Sequence, residues 1–373
     1  MINYSNLYKY LDKCANGFWS AKKIATYGRP VNVITGTRSV GKSTGVAILC
    51  LLDYIVNKHK FMYVRRRQRD TYKTCKTFFE NAVSIVNQYS GFKILAFKFY
   101  NGQYQIALEE RTDEDGNKEL SWEQCGMATP LSSEEELKSS VFSDYFTVIY
   151  DEFISKDPNK YLGTRDNPDF EWDSVVSLYQ TIDRGVNQPF RNETAIFLLG
   201  NKSTIYNPIC LSLGIADFVN DGAHFTAPKK KPWVWEDVDK VEAASVFEDS
   251  FAFQMSSDSV RRYAYENLGN DNDAFIRKPD SSTVYVATIK FKGTSYGIKR
   301  DFDFNYYIVK PVEGYHIISL DVDSHDGNDL HMIRRWQDSP IMVTITQAYQ
   351  TGRLYFDSGK HKVAILKYLQ FMP

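Results

Sequence analysis

The chain has 373 residues, 43 % hydrophobic and 24 % charged, a composition that excludes an intrinsically disordered protein. No apolar run reaches the roughly 18 residues that span a bilayer, and the N-terminal MINYSNLYKYLDK carries no apolar signal core. The net charge of −1 conceals 17 Lys+Arg against 4 Asp+Glu in residues 1–100 and 8 against 20 in residues 101–200. These blocks either neutralise each other within one domain or set a basic surface before a polyanion.

VNVITG (31–36) predicts a buried strand ending in glycine, and a helical pattern runs from Lys42 to about Asn57. FMYV (61–64) predicts a second strand, leading into Arg65, Arg66, Arg67 and Arg69. A helix is expected over Thr71–Tyr89, then a hairpin around Asn101-Gly102 and a polar turn over Arg111–Glu119, inside an acidic segment 109–123. FTVIYDEF (146–153) and TAIFLLGN (194–201) read as buried strands, with a helix over 174–184 between them. Strands alternating with helices imply a parallel sheet covered on both faces. Beyond Asn207 the pattern changes, with helices expected at 235–249 and 259–268. From Lys278 it becomes strand-rich and closes on a helix, KHKVAILKYL. The expected domains are 1–207, a linker subdomain 208–275, and 276–373. The five cysteines are scattered and form no CxxC, which indicates neither a disulfide framework nor a zinc site and suits a reducing, cytoplasmic setting.

Gly36-Thr37-Arg38-Ser39-Val40-Gly41-Lys42-Ser43 fits G-x-x-x-x-G-K-S in full, between a strand and a helix, and continues with Thr44. Its backbone N–H groups curl around phosphates, Lys42 reaches the β- and γ-phosphates of ATP, and the Ser43 hydroxyl suits Mg²⁺. At the end of the 146–153 strand, Asp151 suits the same metal and Glu152 a general base for the attacking water. That pairing points to an ATPase doing mechanical work. Asn201, at the tip of the next strand, is either a γ-phosphate sensor or a turn residue. A charge that neutralises the transition state is sought at Arg184 or Arg191. The arginines after FMYV either grip DNA phosphates, pair with the acidic block or buttress the ATP site.

These residues resemble those of the DNA-packaging ATPases of phi29-type tailed bacteriophages. The resemblance covers nearly the whole chain, through YGRPVNVITGTRSVGKS, FMYVRR, VIYDEFI, FRN, LGNKSTIYNP and LYFDSGKHKVAILKYL. It implies an α/β P-loop NTPase domain of the additional-strand, catalytic-glutamate class, and a smaller strand-rich α/β C-terminal domain of RNase H-like fold without its catalytic carboxylates. It implies a homo-oligomeric ring, a pentamer, docked at the portal of an empty prohead and driving double-stranded DNA inward. A phage-encoded structural RNA is a further partner it raises. The expected location is the host cytoplasm and, transiently, the portal vertex, not the mature virion or a membrane. By the resemblance, Arg191 is the trans-acting arginine, Lys138 a second basic residue acting between subunits, and Tyr27 and Arg29 lie near the adenine. Arg184 remains the alternative finger. The predicted first strand of the C-terminal domain, Thr283–Lys292, has no acidic residue. Asp321, Asp323 and Asp326 read as a solvated turn rather than a two-metal site. Two other functions are kept open: a terminase with an active C-terminal nuclease, and a nucleotide switch that does not translocate.

Overall fold

The computed structural model describes residues 2–112, 117–138, 140–155, 161–162, 170–184, 190–201, 207–215, 218–219, 223–238, 255, 275–291, 294–314, 317–319, 339–359, 361–362 and 365. The chain forms two units, residues 1–270 and 271–373.

In the first unit, helices α1 (Tyr8–Cys14) and α2 (Lys22–Ala25) precede strand β1 (Val31–Gly36), helix α3 (Lys42–Asn57) and strand β2 (Lys60–Arg65). Then come α4 (Gln68–Thr74), α5 (Glu80–Ile85), β3 (Ala96–Tyr100), β4 (Gln103–Thr112), β5 (Lys118–Pro130) and β6 (Tyr145–Asp151). Helix α6 (Phe170–Ile182), β7 (Ala195–Leu199), α7 (Pro208–Ser212), β8 (Phe225–Thr226) and β9 (Trp233–Val238) complete it. The sheet order is β3-β4-β5-β2-β6-β7-β1-β9-β8. From β5 to β9 neighbouring strands run parallel, and the β3-β4 hairpin and β8 flank them antiparallel.

The parallel strands are apolar on both faces because both faces are covered. Along β2, Phe61 and Tyr63 point into one core with Val46, Leu49 and Ile149. Met62 and Val64 point into the other, with Val148, Val175, Leu178 and Trp235. Helix α3 fills the first core and is buried from Gly45 to Tyr54. The five cysteines form no disulfide and all are buried.

Several expectations change. The predicted helix at 235–249 begins as strand instead, because Trp233–Val238 are buried on both sides and pair with β1 throughout its length. The boundary expected at 207 therefore moves: β8 and β9 lie beyond it and complete the first sheet, and the first unit runs to 270. The helix at 71–89 is broken into α4, a turn and α5, ending in a wider turn at Val86–Ser90. Strand β5 was not foreseen. Its C-terminal half is buried between β4 and β2, and its N-terminal half is more exposed and mixes Leu120 and Trp122 with Lys118, Glu119 and Glu123, so no single period marks it. The hairpin at Asn101-Gly102 stands as expected, with both residues at positive φ (+49° and +76°).

The second unit carries β10 (Val284–Phe291), β11 (Thr294–Arg300), β12 (Tyr306–Val309), β13 (Ile317–Ser319), helix α8 (Pro340–Gln350) and β14 (Leu354–Phe356). The order is β13-β10-β11-β12-β14, antiparallel across β10-β11-β12, with β13 and β14 parallel to their neighbours. Met342, Ile345 and Ala348 of α8 pack on Ile289, Ile298 and Ile308. The helix expected at 259–268, most of the closing helix, and Asp321, Asp323 and Asp326 lie outside the described residues.

Candidate active site

The parallel register brings the C-terminal ends of β6, β7, β1 and β9 to one edge: Asp151 beside Leu199, Leu199 beside Ile34, and Thr35 beside Asp237. Gly200 N–H donates to Ile34 O at 3.0 Å and Phe153 N–H to Leu199 O at 3.1 Å, fixing these tips together. Strand β1 stops at Gly36, where φ is +144° and an added Cβ would collide with the Val238 carbonyl. Ser39 (φ +64°) and Gly41 (φ +94°) curl the loop before α3 begins at Lys42. A Cβ on Gly41 would lie 2.9 Å from Phe18 Cβ. The loop thus closes as a cradle of N–H groups at a helix N-terminus.

Lys42 is 7 % exposed and folds back over the loop, donating to the carbonyls of Gly36 (3.0 Å) and Thr37. Burial lowers its pKa to about 8, against the opposing pull of Asp237 and Asp151 and with a further push from Arg38. Below pH 8 the ammonium is charged and ready for phosphate. Above it, binding must first take up a proton. Nucleotide affinity should therefore fall about fivefold from pH 8 to pH 9, as the charged fraction drops from about one half to about one tenth. Calorimetric titration in two buffers of different ionisation heat would show the accompanying proton uptake; a flat profile with no uptake would refute it.

Asp151 ends β6, and the Tyr63 hydroxyl donates to its Oδ2 at 3.0 Å. Burial pushes its carboxyl up from the ordinary range, and the Arg65 charge pulls it back. Glu152 follows in the left-handed region, φ +54°, which turns its side chain away from the sheet to 63 % exposure. Arg65 ends β2, the strand beside β6, and its Nη1 lies 2.8 Å from Glu152 Oε2 and 3.4 Å from Asp151 Oδ2. A buried guanidinium thus holds both carboxylates. Sequence offered Arg65 first as a DNA contact; only the β2–β6 pairing reveals its place.

The other basic candidates divide. Arg66 bonds both oxygens of fully buried Glu171 on α6, at 2.8 and 2.9 Å, and the Phe153 carbonyl at 2.7 Å. Tyr150 OH donates to the same carboxylate at 2.6 Å. Removing one partner of such a pair costs about 3–5 kcal/mol, so Arg66 fastens the turn after Asp151 rather than meeting DNA. Arg67 and Arg69 are exposed.

Asn201 lies just past the end of β7, between the phosphate loop and Asp151, where sequence put it. Ser43 and Thr44 open α3 behind Lys42. Tyr27 and Arg29 do not join them. They stand before the N-terminus of β1, a strand length or about 20 Å from the loop, with Tyr27 against Phe225 and Arg29 bonded to the carbonyls of Pro228 and Lys229. The aromatics beside the loop are Phe18 and Trp19.

Arg191 is bound within its own chain. It donates to the carbonyls of Ser143, Tyr145 and Ile182 at 2.6–2.8 Å and lies over Phe146. Fully buried Asp183 accepts the N–H groups of Asn192, Glu193 and Thr194, fixing the same turn. This turn sits where β6 begins, about 20 Å from Asp151 along the strand. The FRN motif is therefore a turn whose arginine spends both Nη groups within its own chain, while its buried Nε has no partner among the described residues. Arg184 is exposed, and its Nη1 donates to the Lys138 carbonyl at 3.2 Å. Lys138 itself is half-exposed beside Glu135.

Comparison with known proteins completes the picture. The family model described as Podovirus DNA encapsidation protein (Gp16) matches residues 11–371. A DNA packaging protein of Bacillus phage B103 is 25 % identical over 354 residues, 89 % of this chain and 94 % of the relative. The solved bacteriophage Phi-29 viral genome packaging motor assembly contains a chain of similar fold, with a TM-score of 0.61 and 18 % identity over 95 % of this chain and 98 % of that one. The Phi-28 gp11 DNA packaging motor gives 0.58 and 16 %, over 95 % and 97 %.

Proposed function

Because the chain belongs to the podovirus DNA encapsidation protein (Gp16) family, we propose that it is the ATP-hydrolysing motor that drives double-stranded DNA into a phage prohead. The observation that carries this reading is the sheet order. Strand β7 lies between the phosphate-loop strand β1 and the carboxylate strand β6, so Lys42, Ser43, Asp151 and Glu152 share one edge with Asn201 between them.

The donor set fits ATP with Mg²⁺. The loop is a glycine-lined cradle, the Ser43 hydroxyl opens the helix beside it, and Asp151 is a carboxylate at a strand end. Ser43 and Asp151 would hold the metal, which supplies charge neutralisation to the phosphates. Lys42 binds the β- and γ-phosphates, and Glu152 takes the proton of the attacking water. The Arg65 pair holds Glu152 back until that contact is released.

Arg184, with Lys138 beside it, is the finger offered to a neighbouring subunit in a homo-oligomeric ring at the portal. Exposed Arg67 and Arg69 are the DNA-facing members of the basic run. The second unit, with no carboxylate on β10, is an RNase H-like binding module without nuclease activity. The setting is the host cytoplasm. Packaging into purified proheads with and without ATP tests the whole reading. DNA and proheads should stimulate turnover and DNA should become nuclease-protected. Slow, DNA-insensitive turnover would mark a switch instead, and nicking of plasmid with Mn²⁺ a terminase.

A further inference from the structure

Tyr63 of β2 pairs with Ile149 of β6, two residues before Asp151. Two residues of strand cover about 6.6 Å, the reach of a tyrosine side chain leaning along the sheet. Its hydroxyl therefore arrives at the carboxylate and donates to Asp151 Oδ2 at 3.0 Å. The ring is fixed: Tyr63 is fully buried, with the Phe78 ring 4.5 Å away and the Tyr104 ring edge-on at 6.5 Å. The same hydroxyl lies 3.1 Å from Thr74 Oγ1 at the end of α4, and the Thr74 hydroxyl also donates to Asp70 O at 2.9 Å.

A buried tyrosine hydroxyl needs one partner, and Thr74 alone would serve. The Asp151 bond does more. The two side chains that reach this carboxylate, Tyr63 and Arg65, both meet Oδ2. Arg65 stands back at 3.4 Å and makes its shorter contact with Glu152, so the close bond is that of Tyr63. Holding one oxygen from a rigid ring fixes the plane of the carboxylate. We propose that Tyr63 is a positioning residue for the metal, holding Asp151 in the orientation that receives Mg²⁺ before the ion arrives. Such preorganisation strengthens binding because the ligand loses no freedom when the ion binds. The inference rests on the reading of Asp151 as a metal ligand.

The test uses the full-length protein and ADP, with Mn²⁺ binding followed by electron paramagnetic resonance. Tyr63→Phe keeps the buried ring and loses only the hydroxyl. It should bind ADP normally in EDTA, yet need about tenfold more Mn²⁺ to fill the ADP-bound site, the size expected when a group behind a metal ligand is lost. Excess Mg²⁺ should restore turnover. Thr74→Val removes the neighbouring hydroxyl and keeps the Asp151 bond, so its Mn²⁺ affinity should match that of the wild type. Unchanged Mn²⁺ affinity in a folded Tyr63→Phe protein overturns the proposal. So does an equal loss in Thr74→Val, or a loss of ADP binding in EDTA that metal does not rescue, either of which assigns the effect to packing. Should Tyr63→Phe not fold, 4-aminophenylalanine and 4-fluorophenylalanine installed at position 63 compare a donor with a non-donor of similar size. Weaker Mn²⁺ binding with the fluoro residue upholds the role of the bond, and equal binding overturns it. A wild-type protein that binds ADP but no metal overturns the metal reading of Asp151 itself, and this inference with it.

Discussion

Glu152→Gln is expected to bind ATP and fail to hydrolyse it, with turnover reduced about 10³-fold and affinity nearly unchanged. The substitution keeps size and an acceptor but removes the base. The phosphate contacts come from the loop and Lys42, on a different strand, so binding does not depend on it. Lys42→Ala fails by the other route. Losing a charge-assisted contact to the phosphates should weaken nucleotide binding about 10- to 100-fold, and hydrolysis is lost with it. Equilibrium binding and phosphate release, measured on both variants, separate the two defects. A Glu152→Gln enzyme turning over at the normal rate would remove Glu152 from the chemistry.

Arg184→Ala should lower turnover about 10³-fold or more without weakening ATP binding, the size expected of a lost arginine finger. Under the proposed function, its exposed position after α6, beside Lys138, is what offers it to a neighbouring subunit's site. Mixing Arg184→Ala with Glu152→Gln subunits, each inactive alone, should recover activity, because some interfaces then join an intact base to an intact finger. Arg191→Ala should behave differently. It strips three backbone carbonyls of their donor and should lower thermal stability, with lost turnover following lost structure. Should mixed rings form and remain dead with Arg184→Ala but recover with a well-folded Arg191→Ala, the assignment reverses. No recovery with either would remove support for a finger acting in trans.

The phosphate loop and the Asp151-Glu152 pair were legible because each is local: a strand, a turn and a few polar residues adjacent in sequence. The parallel strands β1, β2, β6 and β7 were legible for the same reason, as apolar runs bounded by turn residues. What escaped was long-range. WVWEDV was read in part as helix because its carboxylates precede a stretch with helical spacing, yet β1 pulls it into the sheet. With β9 unseen, Asp237 could not be placed. For Arg65 and Arg66 the sequence left DNA, the acidic block and the ATP site all open; β2 and the residue after it deliver successive side chains to opposite faces, so one meets Glu152 and the other Glu171. Arg191 followed its motif in sequence, and only the turn around Asp183 shows where its donors go.

Five buried cysteines outside any disulfide give the protein an experimental convenience. Cys14, Cys50, Cys75, Cys125 and Cys210 all lie within the core, and burial raises each thiol's pKa, Cys210 to about 12. Both properties suppress reaction with maleimides, which need an accessible thiolate. A single cysteine placed at an exposed position such as Arg69 would then be the fast-labelling thiol of the folded chain. A fluorophore could be attached there in the otherwise native sequence, without first replacing five core residues. Slow labelling of the remaining five would, in the same sample, time the opening of the core that surrounds them.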